Sequence, residues 1–343
     1  MLLQNNLLKR NESKRIKTKR NEAKRSKTKR SKKNKMSCIT ITFGDCSENH
    51  VGMEQIGTIS ETGYSSMDLD VIANSFEGKE IERIDLTSYL GNDNYVGEKP
   101  ELLIVRNAIE NHSEIFEELN GLEWDSRYWD TRRKKVLNKH ARTNLCFSNY
   151  SQEADYENKK GSIIDFEKVP QLSIAKNLVI QSINEESLEC EGNNYHDINK
   201  NGIGWHGDAE RKKVIAMRLG ETMPICFNWF KKSEPLGTTF ITQINSGDIY
   251  VMSEKTTGYD WKKRSLYTLR HSAGAASYTK LPKYPKQKPK AKIVKAKIVK
   301  AKPKFKWIKI KHVKNLIEKK SAIKKSKMNK QFLNQVQAKN ELE

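Results

Sequence analysis

The sequence predicts a mainly β protein with flanking helices, of the α+β class, and three observations indicate this class. Apolar Ile39, Ile41 and Phe43 alternate with threonines, which is typical of a strand with one apolar face. Apolar residues recur at helical spacing in the segments 111–121 and 173–185. The glycine-punctuated second half of the chain, which includes GWHGD and RSLYTLR, indicates further extended segments.

Charge divides the chain into three regions. Residues 1–36 carry a net charge of +13 and residues 280–343 carry +19, whereas residues 37–279 carry −10. Within the first region, residues 9–30 repeat KRNESKRIKTKR as KRNEAKRSKTKR, and this repeat has almost no apolar content, so we expect disorder there. The last region is rich in Lys and Pro, and the apolar spacing within 313–338 favours a terminal basic helix. We therefore expect an acidic folded body with two basic tails.

The body is predicted to have two parts. Residues 37–125 would form an N-terminal wrapping or lid region, and residues 126–279 would form the core of the domain. After the first strand, residues 85–91 indicate a loop or a short turn of helix, and residues 101–110 begin as a strand or a short helix.

Two helices are predicted within the body. The first lies in NHSEIFEELNG, with Asn111 or Ser113 as its N-cap and Gly121 as its stop signal. A polar segment then leads into a strand that we expect Pro170 to end, and the second helix follows over 173–185.

Cysteine usage and hydropathy narrow the class of protein. The five cysteines are scattered, odd in number and without a C-x-x-C pair, which argues for reduced thiols and against a disulfide scaffold or a zinc knuckle. No apolar run has the length of a signal-peptide core or of a membrane-spanning helix. We expect an intracellular protein of the nucleus or the cytoplasm, with no transmembrane segment.

The segment from 189 to 273 contains the richest set of metal- and anion-binding residue types. His206 and Asp208 are two residues apart, so on a strand both side chains would project from one face and supply two of the three ligands of a 2-His-1-carboxylate iron site. Arg264 and Arg270 are six residues apart, so on a strand both guanidinium groups would lie on one side and bind a dicarboxylate.

The order of these motifs resembles a known family. Asn193-Asn194-Tyr195, then His206-Gly207-Asp208, then GDIYVMS and RSLYTLR, are similar to the AlkB-like branch of the Fe(II)/2-oxoglutarate-dependent dioxygenases. This branch carries an N-x-Y pair before H-x-D and an R-x5-R strand near the end of the fold. The resemblance spans residues 140–275.

The resemblance implies a fold, cofactors and a reaction. The fold would be a double-stranded β-helix, or jelly roll. His206 and Asp208 would hold Fe(II), Asn193 and Tyr195 would contact 2-oxoglutarate, Arg264 would bind its distal carboxylate and Arg270 would assist. With O2, the family converts 2-oxoglutarate to succinate and CO2 and hydroxylates a C–H bond. We expect oxidative demethylation or hydroxylation of a nucleic-acid base, which a duplex would have to expose by base flipping.

The third metal ligand departs from the family pattern. The family places a second His before the arginines, often as W-x-H, and alignment on Trp261 puts Lys263 at that position. Two other residues are candidates: Asp260, in the right segment, and His271, which directly follows Arg270 and would need a bulge to face the site. A ligand set completed by water, or a protein without metal, stays open.

Basic and aromatic residues interleave between 124 and 148, a pattern that suits nucleic acid. The candidate contacts with substrate or nucleic acid are Trp129, Arg132, Arg133, His140 and Arg142, and the basic tails make nucleic acid the expected partner. A solvated basic rim is the alternative interpretation of this segment.

Two alternatives to the nucleic-acid oxygenase stay open. One is a protein or small-molecule hydroxylase on the same fold, which the acidic body favours. The other is a catalytically degenerate jelly roll that binds or packages nucleic acid through its basic tails, which the missing second histidine favours.

Overall fold

The computed structural model describes residues 36–282 except 92–94, 184 and 186, and within them the protein is mainly β. Five helices have the bounds α1 (Ser66–Ser75), α2 (His112–Asn120), α3 (Pro170–Ile183), α4 (Glu254–Thr257) and α5 (Ala276–Thr279). The strands are β1 (Cys38–Gly44), β2 (Cys46–Glu48), β3 (Gln55–Gly57), β4 (Ile81–Asp85), β5 (Glu101–Val105), β6 (Arg127–Asp130), β7 (Lys135–Asn138), β8 (Thr143–Ser148), β9 (Ile163–Asp165), β10 (Glu189–Tyr195), β11 (Gly202–His206), β12 (Val214–Gly220), β13 (Met223–Lys231), β14 (Glu234–Ile244), β15 (Ile249–Met252) and β16 (Thr268–Gly274).

Two sheets dominate the described residues. The larger sheet has the order β4-β5-β15-β12-β1-β10-β8-β9, and the smaller sheet has the order β11-β16-β13-β14. Neighbouring strands are antiparallel except for β8 and β9, which are parallel. Two short hairpins, β2–β3 and β6–β7, stand outside these sheets.

The larger sheet is covered on both faces. One face packs against the three longer helices in a core that includes Ile39, Ile41 and Phe43 of β1. The other face packs against the smaller sheet in a second core that includes Ala216 and Phe227. Burial on both faces follows from the apolar runs of β5, β12 and β15, which carry few polar side chains.

Strand β1 shows how the alternation in the sequence is used. The prediction of a strand with one apolar face is confirmed, because Ile39, Ile41 and Phe43 face the helices. Thr40 and Thr42 face the opposite way and line a cavity beside the smaller sheet. Since β1 lies between β10 and β12, this first strand is part of the cavity floor.

The helix predictions hold in part. Helix α2 begins after Asn111 and is followed by Gly121, as predicted, although the Asn111 side chain makes no capping hydrogen bond. Pro170 does not end a strand. It is the first residue of α3, where a missing N–H is tolerated because the first helical N–H groups have no partner within the helix.

Residues 37–125 contribute directly to the larger sheet. Strands β1, β4 and β5 come from this segment. Strand β1 pairs with β10 and β12, β5 pairs with β15, and β4 pairs with β5 at the edge of the sheet. Residues 101–105 form a strand, which decides between the two predicted alternatives, and residues 86–89 form a 3₁₀ turn.

The described part of the chain has no helix long and apolar enough to cross a membrane. All five cysteines are free and buried, as the scattered spacing indicated. The predicted basic tails, including the helix expected over 313–338, lie outside the described residues except at their inner ends.

Candidate metal centre and its cavity

Two histidines are brought together by strand register. His206, the last residue of β11, lies directly opposite His271 of β16, and their ring centroids are 4.3 Å apart. Strand β16 pairs regularly with β13 from Thr268 to Ala273, so no bulge follows Arg270. The irregularity is on β11, where three residue steps from Ile203 to His206 span two steps on β16. This extra residue places Ile203 and His206 on the same side, and both line the cavity.

Asp208 completes the cluster from the turn after β11. Its Oδ1 atom lies 3.5 Å from the Nε2 atom of His206 and 3.5 Å from that of His271. The ligand atoms of the three side chains all lie within 4.8 Å of one another. Ligands held at about 2.1 Å from one ion are about 3.0–3.5 Å apart, so this spacing fits a single metal ion.

The turn that carries Asp208 is held by a close backbone contact. A Cβ atom at Gly207 would come within 2.3 Å of the Gly258 carbonyl oxygen, so only glycine fits between His206 and Asp208. The Asp208 N–H donates to the Thr257 carbonyl at 3.0 Å. Gly258 itself has a φ of 71°, which favours glycine and ends α4. The H-G-D motif therefore depends on the α4 turn for its geometry.

Protonation of the cluster suits metal binding. The Nδ1 atom of His206 lies 2.8 Å from the Gly204 carbonyl oxygen. Since a carbonyl oxygen can only accept a hydrogen bond, Nδ1 carries the proton and donates it. The Nε2 atom is then unprotonated and can act as a ligand. Desolvation and the neighbouring His271 lower the pKa of His206 to about 3, so its imidazole is neutral near pH 7. Burial opposes ionisation of Asp208, but His271 brings its pKa below the usual range.

The structure distinguishes between His271 and Asp260, the two candidates for the third ligand. His271 lies in the cluster and is buried. Asp260 instead accepts a hydrogen bond at 2.7 Å from Lys255 and takes no part in the group of three. Lys263 is exposed in the loop before β16, so the W-x-H alignment does not identify a ligand here.

Arg264 and Arg270 do not share a strand, which corrects the prediction from their spacing. Strand β16 begins at Thr268, and Arg264 is exposed in the preceding loop. Arg270 is on β16, but consecutive side chains on a strand point to opposite faces, so His271 and Arg270 cannot both face the cluster. The Arg270 guanidinium lies 4.3 Å from the ring centroid of Phe230 and 5.1 Å from that of Trp261. Neither arginine lines the cavity.

The cluster opens into a cavity of about 600 Å³ between the two sheets. Asn193 and Tyr195, the predicted contacts of 2-oxoglutarate, line the cavity and are buried. The Asn193 amide is already engaged: its oxygen accepts hydrogen bonds from Arg142 and Asn144, and its nitrogen donates to Glu191 at 3.0 Å.

Two further buried arginines line this cavity and were missed from the sequence. Arg211, three residues after Asp208, pairs with Glu191 and Glu210. Arg218 is fully buried on β12. The signal for Arg218 was a single charged residue in the otherwise apolar run VIAMRLG, which a surface strand would not explain.

The predicted nucleic-acid contacts fall in two places. Trp129 is in β6, and Arg132 and Arg133 are exposed at the turn of the β6–β7 hairpin. His140 is exposed just after this hairpin. Arg142 is separate from them, because it lines the cavity and donates to Asn193.

The β6–β7 hairpin packs on the segment that forms one wall of the cavity. Tyr128 stacks on His50 with ring centroids 3.7 Å apart, and Lys139 donates to the Asn49 side chain at 2.7 Å. Asn49, His50 and Val51 line the cavity, and Val51 is exposed at its mouth. The basic hairpin therefore lies next to the cavity.

Fold and site define a mainly β protein with a His–Asp–His group at the wall of a polar cavity, in which Asp208 and His271 are buried and His206 is half-buried. No family model matches the chain. Over 248 residues the chain is 43% identical to the uncharacterized protein R156 of Acanthamoeba polyphaga mimivirus. The matched region covers 71% of this chain and 97% of R156. The chain belongs to the same family as R156. Since that protein is described as uncharacterized, the function has to be argued from the site.

Proposed function

We propose that this chain is an Fe(II)- and 2-oxoglutarate-dependent oxygenase of the AlkB-like kind. The observation that carries the proposal is the convergence of His206, Asp208 and His271 on one point of the cavity. Two neutral imidazoles and one carboxylate on one side of an ion are the ligand set of non-haem Fe(II) oxygenases, which leaves the remaining coordination positions for substrates. Such a centre, when loaded, couples the oxidation of 2-oxoglutarate by O2 to succinate and CO2 with hydroxylation of a C–H bond.

The path of the chain supports a jelly-roll core. From β10 onward, β10, β12 and β15 lie in the larger sheet, whereas β11, β13, β14 and β16 lie in the smaller sheet, so the chain passes repeatedly between the two. The ligands come from β11, the turn after it and β16 of the smaller sheet, and they face the larger sheet across the cavity.

The residues of this chain would hold the ion by the donor atoms that face one another. His206 is oriented by the Gly204 carbonyl, and Asp208 by the backbone hydrogen bond of its turn. Burial of Asp208 and His271 keeps water from competing for these ligand atoms. The alternative of a catalytically degenerate jelly roll was based on the absence of the family's second histidine at the W-x-H position. The position of His271 beside His206 and Asp208 weakens this alternative.

A nucleic-acid base is the substrate class that we propose for this centre. The support is the hairpin segment 127–139, which has six basic residues and one acidic residue in a body whose net charge is −10. Arg132 and Arg133 are exposed, and the hairpin contacts the cavity wall through Tyr128 and His50. Phosphates along this hairpin would leave a base free to enter the cavity.

The primary test is iron-dependent formation of succinate from 2-oxoglutarate by the full-length protein. We expect turnover with wild type, loss of at least about 100-fold in His271→Ala, and near wild-type turnover in Lys263→Ala, which changes the residue that alignment alone would choose. Failure of the wild type to bind either iron or 2-oxoglutarate would contradict the proposal.

The substrate class is tested by charge reversal. Stimulation of 2-oxoglutarate turnover by a single-stranded oligonucleotide that carries N-methylated bases should fall in Arg132→Glu/Arg133→Glu. It should persist in Lys79→Glu/Lys168→Glu, which changes the charge equally but alters no residue of the cavity lining. Equal effects of the two double variants would favour a protein or small-molecule substrate.

A further inference from the structure

Arg218 occupies an unusual place on the cavity floor. Strand β12 directs Val214, Ala216 and Arg218 to the face that looks onto the smaller sheet, and Val214 and Arg218 line the cavity. The Arg218 side chain is fully buried, although it carries a charge that it cannot lose in a protein.

The contacts of Arg218 leave its charge uncompensated. Its Nη1 atom donates to Thr40 Oγ1 at 2.6 Å and to Cys38 Sγ at 3.2 Å, and both acceptors are neutral groups of β1. No carboxylate of the described residues forms an ion pair with it. An isolated buried charge costs several kcal/mol, so an anion bound beside Arg218 would offset this cost.

The free edge of the guanidinium has the shape of a carboxylate site. The two atoms without a partner among the described residues are Nε and Nη2. Their N–H groups lie side by side on one edge of the planar group, and such an edge binds both oxygens of a carboxylate through two parallel hydrogen bonds. Thr40 and Cys38 hold the opposite edge and so fix its direction.

The surroundings place this edge within a polar row of the sheet. Asn144, Asn193, Thr40 and Arg218 are directly opposed on β8, β10, β1 and β12. Apolar Ile225 and Met252 also line the cavity. A ligand with a carboxylate at the end of a short apolar chain matches this combination.

We propose that Arg218, held by Thr40, binds the distal carboxylate of the dicarboxylate co-substrate in this chain. This assignment rests on the proposed function and replaces Arg264 and Arg270 in the role that the R-x5-R motif implied. It also makes the N-terminal strand β1 part of the co-substrate site, since Thr40 orients the guanidinium.

The test compares two ligands in the presence of Mn(II), with binding measured by calorimetry on the full-length protein without O2. One ligand is 2-oxoglutarate, and the other is 2-oxopentanoate, in which a methyl group replaces the distal carboxylate. Wild type should bind 2-oxoglutarate at least about 30-fold more tightly, as expected for a charged bidentate contact. Arg218→Gln should reduce this ratio to about threefold or less by weakening 2-oxoglutarate alone.

The control variants are Arg264→Gln and Arg270→Gln, which should keep the wild-type ratio. Thr40→Val retains the guanidinium and should reduce the ratio in part, so the proposal stays testable if Arg218→Gln fails to fold. Retention of the full ratio by a folded Arg218→Gln protein, or its loss in Arg264→Gln, would overturn the assignment.

The outcomes separate this assignment from the proposed function. Wild type that binds Mn(II) and both ligands equally well contradicts the Arg218 assignment alone. Wild type that binds neither ligand, or no metal, contradicts the proposed function and this assignment with it.

Discussion

At one end of the cavity floor, the guanidinium of Arg211 pairs with Glu191 and contacts Glu210. At the other end, the guanidinium of Arg218 meets only Thr40 and Cys38. Both arginines are buried and both line the same cavity. Burial alone therefore does not distinguish a buried arginine that supports the fold from one that binds a ligand. The presence or absence of a carboxylate partner distinguishes them.

The largest effect is expected at the group formed by His206, Asp208 and His271. Asp208→Asn removes the only carboxylate of the group, so the affinity for Mn(II) should fall at least about 100-fold. The matched control is Asp260→Asn, which changes the rejected ligand candidate in the same way. Calorimetry should show an affinity for this control within about threefold of wild type, and similar losses in both variants would contradict the assignment.

The second largest effect is expected on the free energy of unfolding when Arg211, which is paired with Glu191, is replaced. Arg211→Met leaves Glu191 buried without its partner, so the free energy of unfolding should fall by about 3–5 kcal/mol. Urea denaturation measures the change. A loss below about 1 kcal/mol would mean that Arg211 does not support the fold, and the comparison of the two ends would fail.

Sequence reasoning reached individual residues of the site but not the way in which they meet. The spacing of His206 and Asp208 identified two members of the His–Asp–His group, because both sit on one short segment. The position of His271 depends on the β11–β16 register and on an extra residue in β11, and neither is encoded by local spacing.

The arginines show the same limit. Arg264 and Arg270 were chosen by spacing on an assumed strand, but β16 begins at Thr268. Arg218 lies beside Thr40 only because β1 pairs with β12 across 178 residues of chain. By contrast, the alternation of β1 and the start and end of α2 were predicted correctly, because both are set by neighbouring residues.

A smaller effect is expected from titration near the cavity wall. Burial, followed by the charge of Lys139, lowers the pKa of His50 to about 4, below the usual value of about 6.5. Between these values the unfolded state binds more protons, so the free energy of unfolding falls as pH decreases through this range. His50→Phe retains the stack on Tyr128 and should gain about 2–3 kcal/mol relative to wild type between pH 7 and pH 4.

Glu48 provides a control, because its contribution to stability changes with pH in the direction opposite to that of His50. Burial raises its pKa to about 7, so the folded state binds more protons and its contribution to stability is lost as pH rises from about 4.5 through 7. Glu48→Gln should therefore gain stability relative to wild type at high pH, where His50→Phe does not. Denaturation curves from pH 4 to pH 8 that shift in the same direction for both variants would contradict these assignments.

The smallest effect on stability is expected at the uncompensated end, and this small size separates the two arginines. Arg218→Met replaces a buried charge that has no acidic partner by an apolar side chain of similar length, so the free energy of unfolding of the ligand-free protein should stay within about 1 kcal/mol of wild type or rise. If Arg218 supported the fold as Arg211 does, the variant would lose several kcal/mol instead. Addition of 2-oxoglutarate to the protein already saturated with Mn(II) should raise the melting temperature of wild type further and add little to that of Arg218→Met, because only the wild type has the guanidinium that pairs with the distal carboxylate.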